Sequence, residues 1–317
     1  MSTIYFGWRL PAFPADDSRG ATFVQQIHAA ASVANEHFDS LWVADHFIPW
    51  ATWQQPQVDT LECFTTMAYI SGVCPRLHVG SIVMSNSYRP PALLAKMAAT
   101  LQALTGGRFI LGIGAGWKQD EYLAYGYDFP SAAVRIRQLE EGVQVLRALW
   151  TQSPAAFRGR YYQVVNAYCE PRPSPMIPIL IGGGGEKLLL RVVAQYADWW
   201  NFPGGSLENY AHKLEVLKEH CRAVGRDYDT IVKTWAIETV AVARTEAEAR
   251  RMAEASRFYD GEHGLIGTPD QVADQICAFT RLGVTHFILR FADFPRREAM
   301  ELFTAEVIPQ FRGGNRS

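Results

Sequence analysis

The sequence predicts a TIM barrel, the α/β fold in which eight parallel strands, each followed by a helix, close on themselves. Three observations carry this. Short apolar runs alternate with longer amphipathic stretches along the whole chain, which implies a parallel sheet with helices outside it. Eight such runs fall within 317 residues, the count and length of one closed barrel. No linker, low-complexity segment or charge block divides them, so residues 1–317 read as one domain. A doubly wound open sheet is the alternative that the alternation also allows.

In chain order the strand runs are IYFGW (4–8), SLWVA (40–44), LHVGSIVMS (77–85), RFILGIG (108–114), IPILIG (177–182), DWWNF (198–202), IVKTWAIETVAVA (231–243) and HFILRF (286–291). They are rich in Ile, Val, Phe and Trp and short enough to be buried strands. Between them, Phe23, Ile27, Ala31, Ala34 and Phe38 step at helical spacing, as do Leu207, Tyr210, Leu214, Leu217, Cys221 and Val224. Gly225 follows the second set as a C-cap. Thr245 with Glu248, and Thr268 with Gln271, read as capping boxes, and Pro269 suits a first helical position. Pro90 and Pro91 open the stretch ALLAKMAATLQAL, and REAMELFTAEVIPQF supplies the last helix. Two segments, about 151–176 and 256–268, exceed a simple barrel. Excursions of this length often form lids or substrate walls.

Composition narrows the function. Lys plus Arg total 30 against 32 for Asp plus Glu, so no global charge draws the chain to nucleic acid or an anionic membrane. No apolar run approaches the roughly 20 residues of a membrane span. The opening MSTIYFGWRLPAF lacks a basic stretch followed by an apolar one, and the five cysteines form no C-x-x-C pair. Both fit a cytoplasmic protein with free thiols. No metal site is expected, because no Cys/His cluster or helical His pair is present.

Three segments can carry chemistry. In ILIGGGGEKLLLRVV a strand runs into Gly182, Gly183, Gly184 and Gly185 and then a helix, a pattern that can turn backbone N–H groups and a helix N-terminus toward a phosphate. A flexible turn is the plainer alternative. ILGIGAGW (110–117) is a second glycine-spaced turn; it lacks the dinucleotide spacing, and its small residues suggest a flat ring lying against the backbone. LWVADHFIPW places Asp45 and His46 just past a strand end, where barrel enzymes carry catalytic groups. The imidazole is either a proton carrier or a structural hydrogen-bonder. Ser85, Asn86 and Ser87 in GSIVMSNSYRPP serve a ligand rim or cap a turn. Trp50, Trp53, Trp117, Phe202 and Tyr259 can line an apolar pocket or pack in the core. Glu238 and Lys233 are the candidates for a base if the barrel instead isomerises a phosphorylated metabolite.

DSLWVADHF, YRPPALLAKMAATLQALTGGRFILGIGAGW, YGYDFPSAAVRIRQLEEGVQVLRALW, PILIGGGGEKLLLRVVAQYADWWN, GTPDQVADQI and GVTHFILRFADFP follow one another in an order and spacing that resemble the luciferase-like family of flavin- and deazaflavin-dependent oxidoreductases. The resemblance covers nearly the whole chain and is nearest to its coenzyme F420-dependent branch. It implies a barrel with insertions, a homodimer, a small-molecule substrate and F420 as coenzyme, with FMN-dependent monooxygenation or flavin binding without turnover as alternatives. By the same resemblance Asp45 and His46 face the coenzyme ring, and His46 is the proton donor or acceptor. Trp50 lies on the substrate side. Ile82 and Val83 form a strand bulge with a non-prolyl cis peptide, and Ser85 contacts the coenzyme. Gly182, Gly183, Gly184, Gly185 and Glu186 form the phosphate cradle. Asp120 falls where sugar-phosphate dehydrogenases carry a coenzyme-contacting Asn, and Trp117 falls where they carry a catalytic Glu. Their phosphate-binding lysine has no counterpart in NFPGGSLENY. These departures argue against glucose 6-phosphate as substrate.

Overall fold

A computed structural model describes residues 3–312. Its strands are β1 (Tyr5–Arg9), β2 (Ser40–Val43), β3 (His78–Ser81), β4 (Met84–Ser85), β5 (Phe109–Gly114), β6 (Ala155–Arg158), β7 (Gln163–Ala167), β8 (Ile179–Gly182), β9 (Trp199–Pro203), β10 (Val232–Val242), β11 (Leu265–Gly267) and β12 (Val284–Phe291). β1, β2, β3, β5, β8, β9, β10 and β12 pair in that order, all parallel, and β12 returns to β1. The eight apolar runs are therefore the eight staves of a closed barrel, and the open-sheet alternative is excluded. β4 continues the third stave beyond a break and pairs with β5. β11 takes the side of β10 that β9 vacates: β9 pairs along 232–236 and β11 along 240–242.

The helices are α1 (Gly20–His37), α2 (Cys63–Val73), α3 (Pro91–Leu104), α4 (Gln119–Ala124), α5 (Ala132–Thr151), α6 (Leu189–Tyr196), α7 (Leu207–Val224), α8 (Glu246–Ala255) and α9 (Pro269–Arg281). A last stretch joins α10 (Glu298–Leu302) to α11 (Ile308–Arg312) through a π turn. Both capping boxes form, at Thr245 with Glu248 and at Thr268 with Gln271. Gly225 closes α7 in the left-handed conformation. The helical faces read from spacing are buried, with Phe23, Ile27, Ala31 and Ala34 on α1 and Tyr210, Leu214, Leu217 and Cys221 on α7. Inside the barrel, Trp42, Ile82, Ile110, Leu180, Ala236 and Ile288 form a separate apolar plug. It leaves the ends of the barrel as the places where a ligand can enter.

The two excursions go to different places. Residues 155–167 form the β6–β7 hairpin, whose turn is held by Glu141 accepting from the amides of Arg160, Tyr161 and Tyr162. The hairpin packs against α5, and Cys169 beyond it donates to the Ala95 carbonyl on α3. This segment is an outer brace; it lines no part of the cavity at the strands' C-terminal ends, contrary to the expected lid. The second excursion does reach that end. Its Phe258 packs on Phe13, Trp50 and Trp53. No described helix is long and apolar enough to cross a membrane.

Candidate active site

A cavity of about 340 Å³ opens at the C-terminal ends of the strands, lined among others by Arg9, His46, Trp50, Val83, Trp117 and Glu238. His46 follows β2 and sits between two indoles, Trp50 at 5.4 Å and Trp117 at 5.6 Å between ring centroids. Trp50 is itself braced edge-on by Phe13 and flanked by the guanidiniums of Arg9 and Arg290.

His46 has a partner that the sequence did not announce. Its Nδ1 lies 2.9 Å from Oε2 of Glu121, a fully buried carboxylate on α4. Glu121 also accepts from the Tyr88 hydroxyl (2.6 Å) and from the amides of Phe47 (2.6 Å) and Ile48 (3.1 Å). Burial pushes this carboxyl up, but the bonds from His46, Tyr88 and the Ile48 amide outweigh it and hold the group below the ordinary glutamate range. An ionised Glu121 only accepts, so the His46 proton sits on Nδ1 and Nε2 is the nitrogen left for the cavity.

Asp45, the neighbour of His46, does not line the cavity. Its fully buried carboxylate is gripped by both terminal nitrogens of Arg89 at 2.9 and 3.0 Å, and it accepts from the Ser85 amide at 3.0 Å. Arg89 also pairs with Glu62, which caps α2 by accepting from the amides of Phe64 and Thr65. Asp45 thus ties the second stave to the third and, through Arg89, to α2. Ser85 is also turned inward, its hydroxyl bonded to that of Tyr122. Asn86 donates to the Tyr162 hydroxyl on the outer brace. Asp120 lies at the surface and pairs with Lys118.

The peptide between Ile82 and Val83 is cis, and both residues line the cavity. This segment leaves no room for side chains at Gly112 and Gly114, while Gly116 has φ +74° and packs on Tyr122 and Ser85. A Cβ on Gly112 would lie 1.9 Å from the Ser81 carbonyl oxygen, and one on Gly114 or Gly182 would lie within 3 Å of the Val83 side chain. Gly112, Gly114 and Gly182 thus make room for the Ser81–Val83 segment.

The four-glycine loop also differs from expectation. Gly182 ends β8, and α6 begins only at Leu189, so no helix N-terminus directly abuts the glycines. Gly183 has φ +123° and donates to the Asn201 carbonyl. Among the described residues the amides of Gly184, Gly185 and Glu186 donate to no backbone carbonyl. Phe202 closes the space beside Gly184, where a Cβ would lie 2.4 Å from its ring, whereas one on Gly185 meets only Leu189 at 3.4 Å. Glu186 pairs with Lys213 and His212, and those bonds hold its carboxyl below the usual range.

On the opposite wall Glu238 lies between Arg9 and Arg290 and keeps 35% of its side-chain surface open. Burial raises its carboxyl, but the two arginine charges outweigh that and lower it. A carboxylate stabilised in this way is a poor base. Lys233 binds the Tyr228 carbonyl at the start of β10, so neither candidate for isomerase chemistry is placed to act.

The profile of the luciferase-like monooxygenase family matches residues 4–263. The chain belongs to this family. Two kinds of curated relative are among those it matches. The F420-dependent glucose-6-phosphate dehydrogenase of Amycolatopsis mediterranei is 26% identical over 318 aligned residues, covering 86% of this chain and 90% of the relative. The FMNH(2)-dependent dimethylsulfone monooxygenase of Pseudomonas fluorescens is 28% identical over 258, covering 70% of each. Among solved structures, an F420-dependent secondary alcohol dehydrogenase in complex with an F420-acetone adduct superposes with a TM-score of 0.82 at 21% identity, covering 96% of this chain and 98% of that one. The last likeness establishes the shared luciferase-like fold.

Proposed function

We propose that this luciferase-like chain is an F420-dependent oxidoreductase that passes hydride between the deazaflavin and a small organic substrate. The observation that carries the reading is His46, oriented by Glu121 so that a basic nitrogen is left for a cavity walled by the Ile82–Val83 bulge on one side and Trp50 on the other. F420-dependent relatives spanning nine-tenths of their own length supply the coenzyme class.

The residues present suit such a coenzyme. Gly183 makes a turn that a side chain would strain, and the amides of Gly184 to Glu186 are not used by other backbone groups, so they can receive a phosphate. When bound, the deazaflavin supplies the hydride chemistry, because its ring passes hydride and not single electrons to oxygen. The chain's part would be to wall the substrate with Trp50 and to hold or move one proton at His46 Nε2.

A second reading, monooxygenation with reduced FMN, is favoured by the dimethylsulfone monooxygenase likeness and uses the same loop. Binding separates the two readings, since the F420 reading requires the deazaflavin to bind more tightly than FMN. Glucose 6-phosphate is not expected to be oxidised, because Trp117 stands at the position of the acid and no lysine lines the cavity. Steady coenzyme reduction by that sugar at micromolar enzyme would contradict this.

A further inference from the structure

We infer that Glu121 is a positioning residue that sets which nitrogen of His46 carries the proton, and that its replacement by Gln reverses the choice. The inference rests on the proton role given to His46 above, but its first test does not depend on that role.

The argument is one of donor and acceptor supply. Glu121 is buried completely and receives four hydrogen bonds, two at each oxygen. Oε1 takes the amides of Phe47 and Ile48, which can only donate. Oε2 takes the Tyr88 hydroxyl and His46 Nδ1. A glutamine of the same shape cannot place its NH₂ group against two backbone N–H groups. Its carbonyl must therefore occupy the Oε1 position, and its NH₂ group must occupy the Oε2 position. There it donates to His46 Nδ1, which must give up its proton and become the acceptor. The ring proton moves to Nε2. The tyrosine hydroxyl can turn to accept, although its own proton then loses the acceptor that Glu121 supplies in the parent protein. Around the ring the remaining contacts are the uncharged indoles of Trp50 and Trp117; Arg9 and Arg290 lie against the Trp50 ring and pair with Glu238, so they offer His46 no competing hydrogen bond.

A neutral His46 with its proton on Nε2 can accept nothing from the cavity. It is also a far weaker acid than the imidazolium that donates in the reverse direction. Both directions of turnover should therefore suffer, while the cavity keeps its shape.

The first experiment is ring-¹⁵N spectroscopy of the apoprotein at about pH 9, above the ordinary histidine range, with His46 assigned from its absence in His46→Gln. In the parent protein Nδ1 should carry the proton and Nε2 should be bare. In Glu121→Gln the two signals should exchange, while Glu121→Asp should restore the parent pattern. An unchanged tautomer in Glu121→Gln overturns the inference.

The second arm is turnover with F420. Glu121→Gln should lower kcat on the order of tenfold to a hundredfold, within the range of a lost proton transfer, with KM and coenzyme affinity little changed. A reversed tautomer with undiminished kcat would uphold the positioning role and remove His46 from the proposed chemistry. Tyr88→Phe takes away one of the four bonds and should keep the parent tautomer with at most a few-fold loss. A loss as large as that of Glu121→Gln without a tautomer change would assign the effect to packing and overturn the inference.

Discussion

The barrel carries a histidine and a cavity at each end, and the two ends differ in what the imidazole is bonded to. At the C-terminal end His46 donates from Nδ1 to ionised Glu121, so its basic nitrogen is left for a cavity of about 340 Å³. At the N-terminal end His286 lines a larger cavity of about 570 Å³, yet its Nε2 lies 2.7 Å from the Ser40 hydroxyl. Ser40 also accepts from the Trp42 indole, so His286 Nε2 is engaged with a buried hydroxyl that is itself held in place. Burial, assisted by nearby His78, pushes the His286 imidazole down to about 3. Stacked on Tyr5 and close to Trp199, it is a neutral structural group. Cavity size would have chosen the wrong end. The chemistry follows a carboxylate that leaves the basic nitrogen free, at the strand ends where barrels carry their loops.

If that contrast is right, His46→Gln should lower kcat by about 10²–10⁴-fold while the coenzyme still binds. A kcat within a few-fold of the parent would leave the two histidines functionally alike and break the comparison.

The residue beside His46 sharpens the contrast on stability. Asp45 and Arg89 form a buried ion pair, so Arg89→Met leaves a carboxylate uncompensated and should cost about 3–5 kcal/mol in urea unfolding. Asp45→Asn combined with Arg89→Met should recover part of the loss. A cost no larger than that of an exposed pair would mean that Asp45 is free for the role first expected of it.

The glycine loop should respond next. Gly185→Asp adds a side chain that meets only Leu189, unlike Gly184, where Phe202 blocks the way. Two like charges about 4 Å apart repel by roughly 4 kcal/mol at an effective dielectric near 20. Solvent screening halves this to about 2 kcal/mol, or roughly thirtyfold in affinity. Coenzyme affinity equal to the parent's, with the melting temperature preserved, would mean the loop is only a turn.

Per pH unit, the smallest effect belongs to His286. Its imidazole stays neutral in the folded chain down to about pH 3, whereas the unfolded chain takes up a proton near 6.5. Between those values the unfolded state binds more protons, so stability falls as pH falls, by up to about 1.4 kcal/mol per pH unit from this group. His286→Gln should remove that contribution to the slope. An unchanged slope between pH 6 and 4 would show that the His286 site is already protonated or open.

The barrel was legible because buried parallel strands are unbroken apolar runs, and the capping boxes at Thr245 and Thr268 because a helix start is a local pattern. The site was legible only in part. His46, Trp50, Val83 and Trp117 meet in one cavity because each follows a strand end, which spacing reveals. Glu121 was missed: it lies 75 residues from His46, on a short helix whose neighbours Asp120 and Gln119 are exposed, and only barrel closure brings the two together. The ion pair of Asp45 was hidden for the same reason, since its partner Arg89 stands 44 residues further on. Gly112 and Gly114 answer to a close approach by the Ser81–Val83 segment, and Gly116 to Tyr122, which no local pattern encodes.

The central claim is that the cavity around His46 is built for a deazaflavin. The most direct measurement is an equilibrium titration of the purified apoprotein with oxidised F420 and, separately, with FMN, followed by the quenching of tryptophan fluorescence, since Trp50 and Trp117 line the cavity. The account predicts saturable quenching with a lower Kd for F420 than for FMN. Tight FMN binding with no response to F420 would contradict it and leave the flavin monooxygenase reading in its place.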